Sequence, residues 1–107
     1  MTKGMFLAAA VFFLAGNLRA EEILVGLEGR ILSQSRGFIE IDTGRDQKER
    51  ILIRTSKIVL VRSGRMGDNN AQTQLLVETG ATQNLIITIP RRAISYESIR
   101  DAILTAQ

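Results

Sequence analysis

Glu40 and Asp42 stand two residues apart in the alternating run Phe38-Ile39-Glu40-Ile41-Asp42. Side chains alternate across a strand, so the carboxylates share one face with Phe38, while Ile39 and Ile41 share the other. Glycosidases use such carboxylate pairs, but they hold them on the walls of a cleft. A chain of 107 residues has little material for such walls, and the pair reads as the wet face of a strand. Asp68-Asn69-Asn70 offers oxygen ligands of the kind calcium takes, yet one acid without a spaced ligand pattern reads as a polar loop. Gly64 and Gly67 lack the Lys-Ser/Thr ending and the following helix of a phosphate-binding loop. Histidine and cysteine are both absent. That removes Ser-His-Asp and Cys-His nucleophilic catalysis, ordinary structural zinc sites, thiol redox chemistry and disulfides. No catalytic residue, metal site or cofactor is expected.

The arginines are the other candidates. Arg91 and Arg92 follow Pro90 and precede a helical pattern, so they project from the end of a strand. Arg50 and Arg54, with Arg62 further on, form a second set borne on strands. Arginine forks suit carboxylates, phosphates and lipid headgroups. Outward charges on strands also serve solubility and protect sheet edges from aggregation. Arg91, Arg92, Arg50 and Arg54 are therefore the candidate surface for an anionic group or an acidic partner.

These residues must be positioned by strands. Glu22 to Leu27 and Gly29 to Gln34 are β-branched and aliphatic stretches, and Ser35-Arg36-Gly37 is turn chemistry. Residues 38–42 form the next strand, and the polar loop 43–48 follows. Glu49 to Arg54 and Lys57 to Arg62 read as two further strands, or as one long bent strand interrupted at Thr55-Ser56. Residues 63–72 are the longest flexible loop. Thr73 to Thr79 and Asn84 to Ile89 fit a hairpin closed by Gly80-Ala81-Thr82-Gln83. Pro90, with no N–H for a ladder, ends the last strand.

A C-terminal helix is predicted over residues 95–105. Ser95 is the expected N-cap, Glu97 favours the first turn, and Ile94 with Ile99 occupy the positions of a hydrophobic staple. Tyr96, Ile99, Ala102, Ile103 and Ala106 make one apolar stripe at helical spacing. So short a helix is marginal alone in water, so it must dock on the sheet. The expected fold is all-β to α+β: a small antiparallel, strongly bent sheet or partly closed barrel of about six strands, with one C-terminal helix packed on it.

Ahead of this lies a leader. Lys3 precedes an almost unbroken apolar run from Met5 to Gly16, followed by Asn17-Leu18-Arg19-Ala20 and then Glu21-Glu22. That order of charged start, short apolar middle and small final residue is the secretory pattern, with cleavage after Ala20. The run is about a dozen residues, against the roughly twenty of a membrane-spanning helix. Residues 1–20 are expected to be a signal peptide and 21–107 a single β-rich domain, periplasmic or secreted. An uncleaved leader would instead make a membrane-tethered subunit. The whole chain carries 14 Lys plus Arg against 11 Asp plus Glu, net +3. Lys3 and Arg19 leave with the leader, so the mature charge is 12 minus 11, or +1. A nearly neutral domain is not built for nucleic acid.

The section from Gly29 to Arg62, with its glycine-led bent strand, alternating second strand and paired third and fourth, resembles small SH3-like or Sm-like barrels. It covers about a third of the chain and carries over no functional residues. The strand–strand–helix ending is similar in outline to the close of a pleckstrin-homology-like domain. The functional expectation is an exported, non-enzymatic interaction domain with a protein partner. The alternatives are a small carboxylate-dependent hydrolase or lyase built on Glu40 and Asp42, and the tethered subunit. Oligomeric state is left open.

Overall fold

The computed structural model describes residues 19–45, 48–65, 71–80 and 83–107. The leader's apolar run and the centre of the 63–72 loop lie outside these residues. Strand β2 (Arg30–Ser35) and strand β3 (Phe38–Asp42) are joined by Arg36 and Gly37, whose φ angles are 53° and 84°. Two consecutive positive φ values make the two-residue turn whose twist matches that of the strands it joins. Strand β4 (Arg50–Arg54) pairs antiparallel with β3 and completes a sheet of order β2-β3-β4.

A 3-10 turn, Thr55–Lys57, then carries the chain out of that sheet. The Thr55 backbone N–H and hydroxyl both donate to the Gly37 carbonyl, at 2.9 and 3.2 Å. Strand β5 (Ile58–Arg65) therefore joins a second sheet with β6 (Ala71–Glu78), β7 (Gln83–Pro90) and β1 (Arg19–Leu24), in the order β1-β7-β6-β5. β5, β6 and β7 are antiparallel neighbours, whereas β1 runs parallel to β7. Among the described residues there are seven strands in two sheets, and neither sheet closes.

This corrects the expectation of one bent, antiparallel sheet or partly closed barrel of about six strands. The chain does not continue as one long strand through Thr55-Ser56, because that turn is tied to Gly37 rather than to a ladder. The loop at 63–72 is also shorter than expected, since β5 runs to Arg65 and β6 starts at Ala71. The first strand starts earlier than Glu22, so cleavage after Ala20 would remove its first two residues.

One apolar core joins the two sheets and the helix. Ile39, Ile41 and Ile53 of the three-stranded sheet meet Leu75, Val77, Ile87 and Ile89 of the four-stranded one. Each fully buried aliphatic side chain contributes about 1.5–3 kcal/mol, and no disulfide adds to it. Helix α1 (Tyr96–Ala106) packs against β2 and β3 and buries Ile99, Ala102 and Ala106. Its cap is the expected one: the Ser98 amide donates to Ser95 Oγ at 3.1 Å. The staple residues Ile94 and Ile99 both enter the core. At the other end Gly37 donates its backbone N–H to the Ala106 carbonyl, satisfying a helix terminus that would otherwise lack a partner. Among the described residues no helix is long and apolar enough to cross a membrane.

A polar row crosses the outer face of the four-stranded sheet. Arg62 donates twice to Gln74 Oε1, at 3.1 and 2.9 Å, and Gln74 Nε2 donates to Thr88 Oγ1 at 3.2 Å. Thr88 Oγ1 donates in turn to Glu22 Oε2 at 3.1 Å. The row visits all four strands and ties β1 to residues 66 positions away.

Candidate anion-binding cleft

The site is built on the outer face of the three-stranded sheet. Because Ile39, Ile41 and Ile53 fill the inner face, their neighbours Phe38, Glu40, Asp42, Arg50, Leu52 and Arg54 must point outward. The register sets three cross-strand rows on that face. Arg30 lies opposite Asp42 and Asp42 opposite Arg50; Ser33, Glu40 and Leu52 form the second row; Ser35, Phe38 and Arg54 form the third.

Arg30 reaches this face because β2 carries an irregularity. The register shifts between Ile31 and Ser33, leaving Leu32 as an extra residue. Without that bulge, Ile31 would lie opposite Asp42 on the wet face. With it, Ile31 packs against the core and Arg30 faces out.

At the end of the sheet two loops cross at very close range. Gly26 donates to the Thr43 carbonyl at 2.7 Å, and Gly29 donates to the Gly26 carbonyl at 3.0 Å. Gly44 has a φ of 70°, and a Cβ placed there would sit 2.4 Å from the Gly29 nitrogen. Only a residue without a Cβ allows this crossing. Buried Thr43 braces it by donating its hydroxyl to the Glu49 carbonyl at 3.2 Å.

The crossing and the first row together enclose an open cleft of about 770 Å³. Among the described residues four cations line it, Arg30, Arg45, Lys48 and Arg50, against two acids, Glu28 and Asp42. Asp42 is partly occupied, since its Oδ1 accepts the Gly44 backbone N–H at 2.8 Å. Arg45 donates to the Leu24 carbonyl at 3.4 Å. The one ion pair between described residues is Arg100–Asp101, elsewhere on the surface at 3.2 Å. Arg30, Lys48 and Arg50 thus face solvent without a carboxylate within ion-pair reach among the described residues. Such an arrangement is suited to receive an anionic group, two guanidinium forks from opposite sides and an ammonium as a point charge.

The four arginines proposed from sequence fall in different places. Arg50 lies in the cleft. Arg54 lies on the same face of β4 but at its other end, with its guanidinium carbon 4.9 Å from the centre of the Phe38 ring. Arg91 and Arg92 are exposed on the turn after β7, in the other sheet, and do not line the cleft. Arg62 belongs to the polar row of the four-stranded sheet and not to the Arg50–Arg54 face. Glu40 and Asp42 share the outer face as expected, but only Asp42 lines the cleft. Among the described residues no group of three or more acidic side chains is placed to hold a metal ion.

Sequence reasoning missed Arg30, Arg45 and Lys48. A hairpin closed by the 43–49 loop pairs residue 42 with residue 50, and that signal was readable. The bulge that brings Arg30 beside them was not. No protein-family model, characterised protein or solved structure matches the chain. The cleft's own chemistry therefore carries the functional reading.

Proposed function

We propose that this chain is an exported, non-enzymatic interaction domain that captures an acidic segment of a protein partner in the cleft around Arg30 and Arg50. The observation that carries the proposal is that Arg30, Lys48 and Arg50, which have no carboxylate partner among the described residues, converge on one open cleft. Export rests on the leader sequence, Lys3 through Ala20. The extent of the cationic face argues for carboxylates rather than nucleic acid, which calls for a longer basic track. Arg91 and Arg92 then serve solubility, or contact the partner at a second point on the other sheet.

Calorimetric titration of the chain with polyglutamate tests this directly. Binding should weaken as salt is raised, because exposed charges are screened. Replacing Arg30→Gln and Arg50→Gln together should weaken it by about tenfold or more, with circular dichroism and melting showing that the fold is kept. Equal binding by the double variant and the parent chain would refute the proposal. The mass of the protein recovered from its native source tests the export part: loss of residues 1–20 is expected, and an intact Met1 in a membrane fraction would overturn it.

A further inference from the structure

The free edge of β4 borders a second feature. An open groove of about 420 Å³ runs along this strand between the two sheets. Its floor is apolar, formed by Ile51 and Ile53 from β4 and by Val77, Leu85 and Ile87 from the four-stranded sheet. We infer that the partner's acidic segment binds as an added strand on β4, with alternate side chains in this groove. The inference rests on the proposed reading of the site as a receptor for acidic partners and names how such a partner is held.

The backbone argument comes from the hydrogen-bond alternation of the β3–β4 pair. Thr43 donates to Glu49, and Thr55 donates to Gly37, so these flanking pairs are hydrogen-bonded ones. Counting inward through the register, Ile41 with Ile51 and Ile39 with Ile53 are also bonded pairs. Arg50 and Leu52 therefore turn their backbone N–H and C=O groups toward the open edge. Among the described residues nothing pairs with that edge. An incoming strand finds main-chain partners there, as in strand addition generally.

The side-chain argument gives the partner's pattern. β4 spans five residues, so a matching segment also has about five, or roughly 17 Å at strand spacing. Its second and fourth side chains would lie beside Ile53 and Ile51 and enter the groove. Its first, third and fifth would lie on the outer face beside Arg54, Leu52 and Arg50. Leu52 is 64% exposed, an apolar surface left uncovered between two cations. Lys57 and Glu78 line the same groove and offset each other, so Arg54 and Arg50, one at each end of β4, carry the preference for acid. The pattern that complements this edge is acidic, apolar, neutral, apolar, acidic. A second copy of this chain does not fit, because β4 against β4 about a two-fold axis sets Arg50 opposite Arg54.

The test uses a capped peptide, Glu-Val-Thr-Val-Glu, titrated into the isotope-labelled chain and followed by amide shifts. Binding should move the Arg50 and Leu52 amides and protect them from exchange. N-methylating the peptide at every second residue, in whichever phase faces β4, should abolish binding. Leu52→Pro removes one of the outward N–H groups without touching a β3 bond and should do the same, with its fold checked by melting. Lys-Val-Thr-Val-Lys should bind about tenfold more weakly. If the N-methylated peptides in both phases and polyglutamate bind as well as the parent peptide, strand addition is overturned while the anionic reading stands. If neither the acidic peptide nor polyglutamate binds, both fall. Equal binding of the lysine peptide would overturn the charge pattern.

Discussion

Replacing Gly44 by alanine should destabilise the domain far more than the same change at Gly37. Both glycines have positive φ, 70° and 84°. An L-residue held in that region costs about 1–2 kcal/mol, and this part is common to the two variants. Their surroundings differ. Around Gly37 a new Cβ meets nothing within 4 Å. At Gly44 it would lie 2.4 Å from the Gly29 nitrogen and 2.6 Å from the Glu28 carbonyl carbon, both backbone atoms that cannot swing aside. Forcing the crossing loops apart adds about 1–3 kcal/mol, the usual range for overpacking a tight site. The total is about 2–5 kcal/mol for Gly44→Ala against about 1–2 for Gly37→Ala. In a domain of this size each kcal/mol moves the melting temperature by about 4–8 °C. Gly44→Ala should therefore melt roughly 5–20 °C below Gly37→Ala. Thermal melts by circular dichroism, with urea midpoints as a second measure, decide the matter. Melting points within about 3 °C of each other would refute the close-crossing account, because that gap is under one kcal/mol.

Three further variants probe other parts of the fold. Ile99→Asp places a charge at a position 2% exposed, and a loss of several kcal/mol is expected; a melt near that of the parent would show that the helix is not docked. Thr73 is fully buried, and its hydroxyl has no hydrogen-bond partner among the described residues. Thr73→Val should accordingly leave stability unchanged or raise it by about 1 kcal/mol, and a drop in urea midpoint would show that the hydroxyl has a use. Arg36→Asn should add about 0.5–1 kcal/mol, since asparagine before glycine is favoured in this turn; a lower melting temperature would count against the turn geometry.

Much of the local structure was legible. The alternation around Ile39 and Ile41 named the inner face correctly, and the carboxylates of Glu40 and Asp42 lie outside as read. The helix stripe was right at Ile99, Ala102 and Ala106, and Ser95 caps it as its position suggested. Tyr96 is only half-buried and lies 6.0 Å from the Arg100 guanidinium carbon. Pro90 is the last residue of its strand. The candidate site was legible only in fragments, of which Arg50 and Asp42 are the clearest. Arg91 and Arg92 share with Arg50 a place beside a strand end, but sequence position does not say which sheet that strand joins.

The division follows from the range of the forces involved. Periodicity, capping and proline's missing N–H act within one or two turns of chain, so the sequence alone determined most strands, the shared faces of Ile39 with Ile41, Leu75 with Val77 and Ile87 with Ile89, and the helix cap. The leader's apolar run, likewise local, determined the expectation of export. Strand partners depend on contacts across the whole chain. Only the tertiary structure decided that β1 lies parallel to β7, that the Thr55 turn divides the strands between two sheets, and that a single extra residue at Leu32 turns Arg30 outward. A shift of one residue exchanges the two faces of a strand at little local cost. That shift, together with the glycine crossing at Gly44, gathers charges scattered from Arg30 to Arg50 into one cleft.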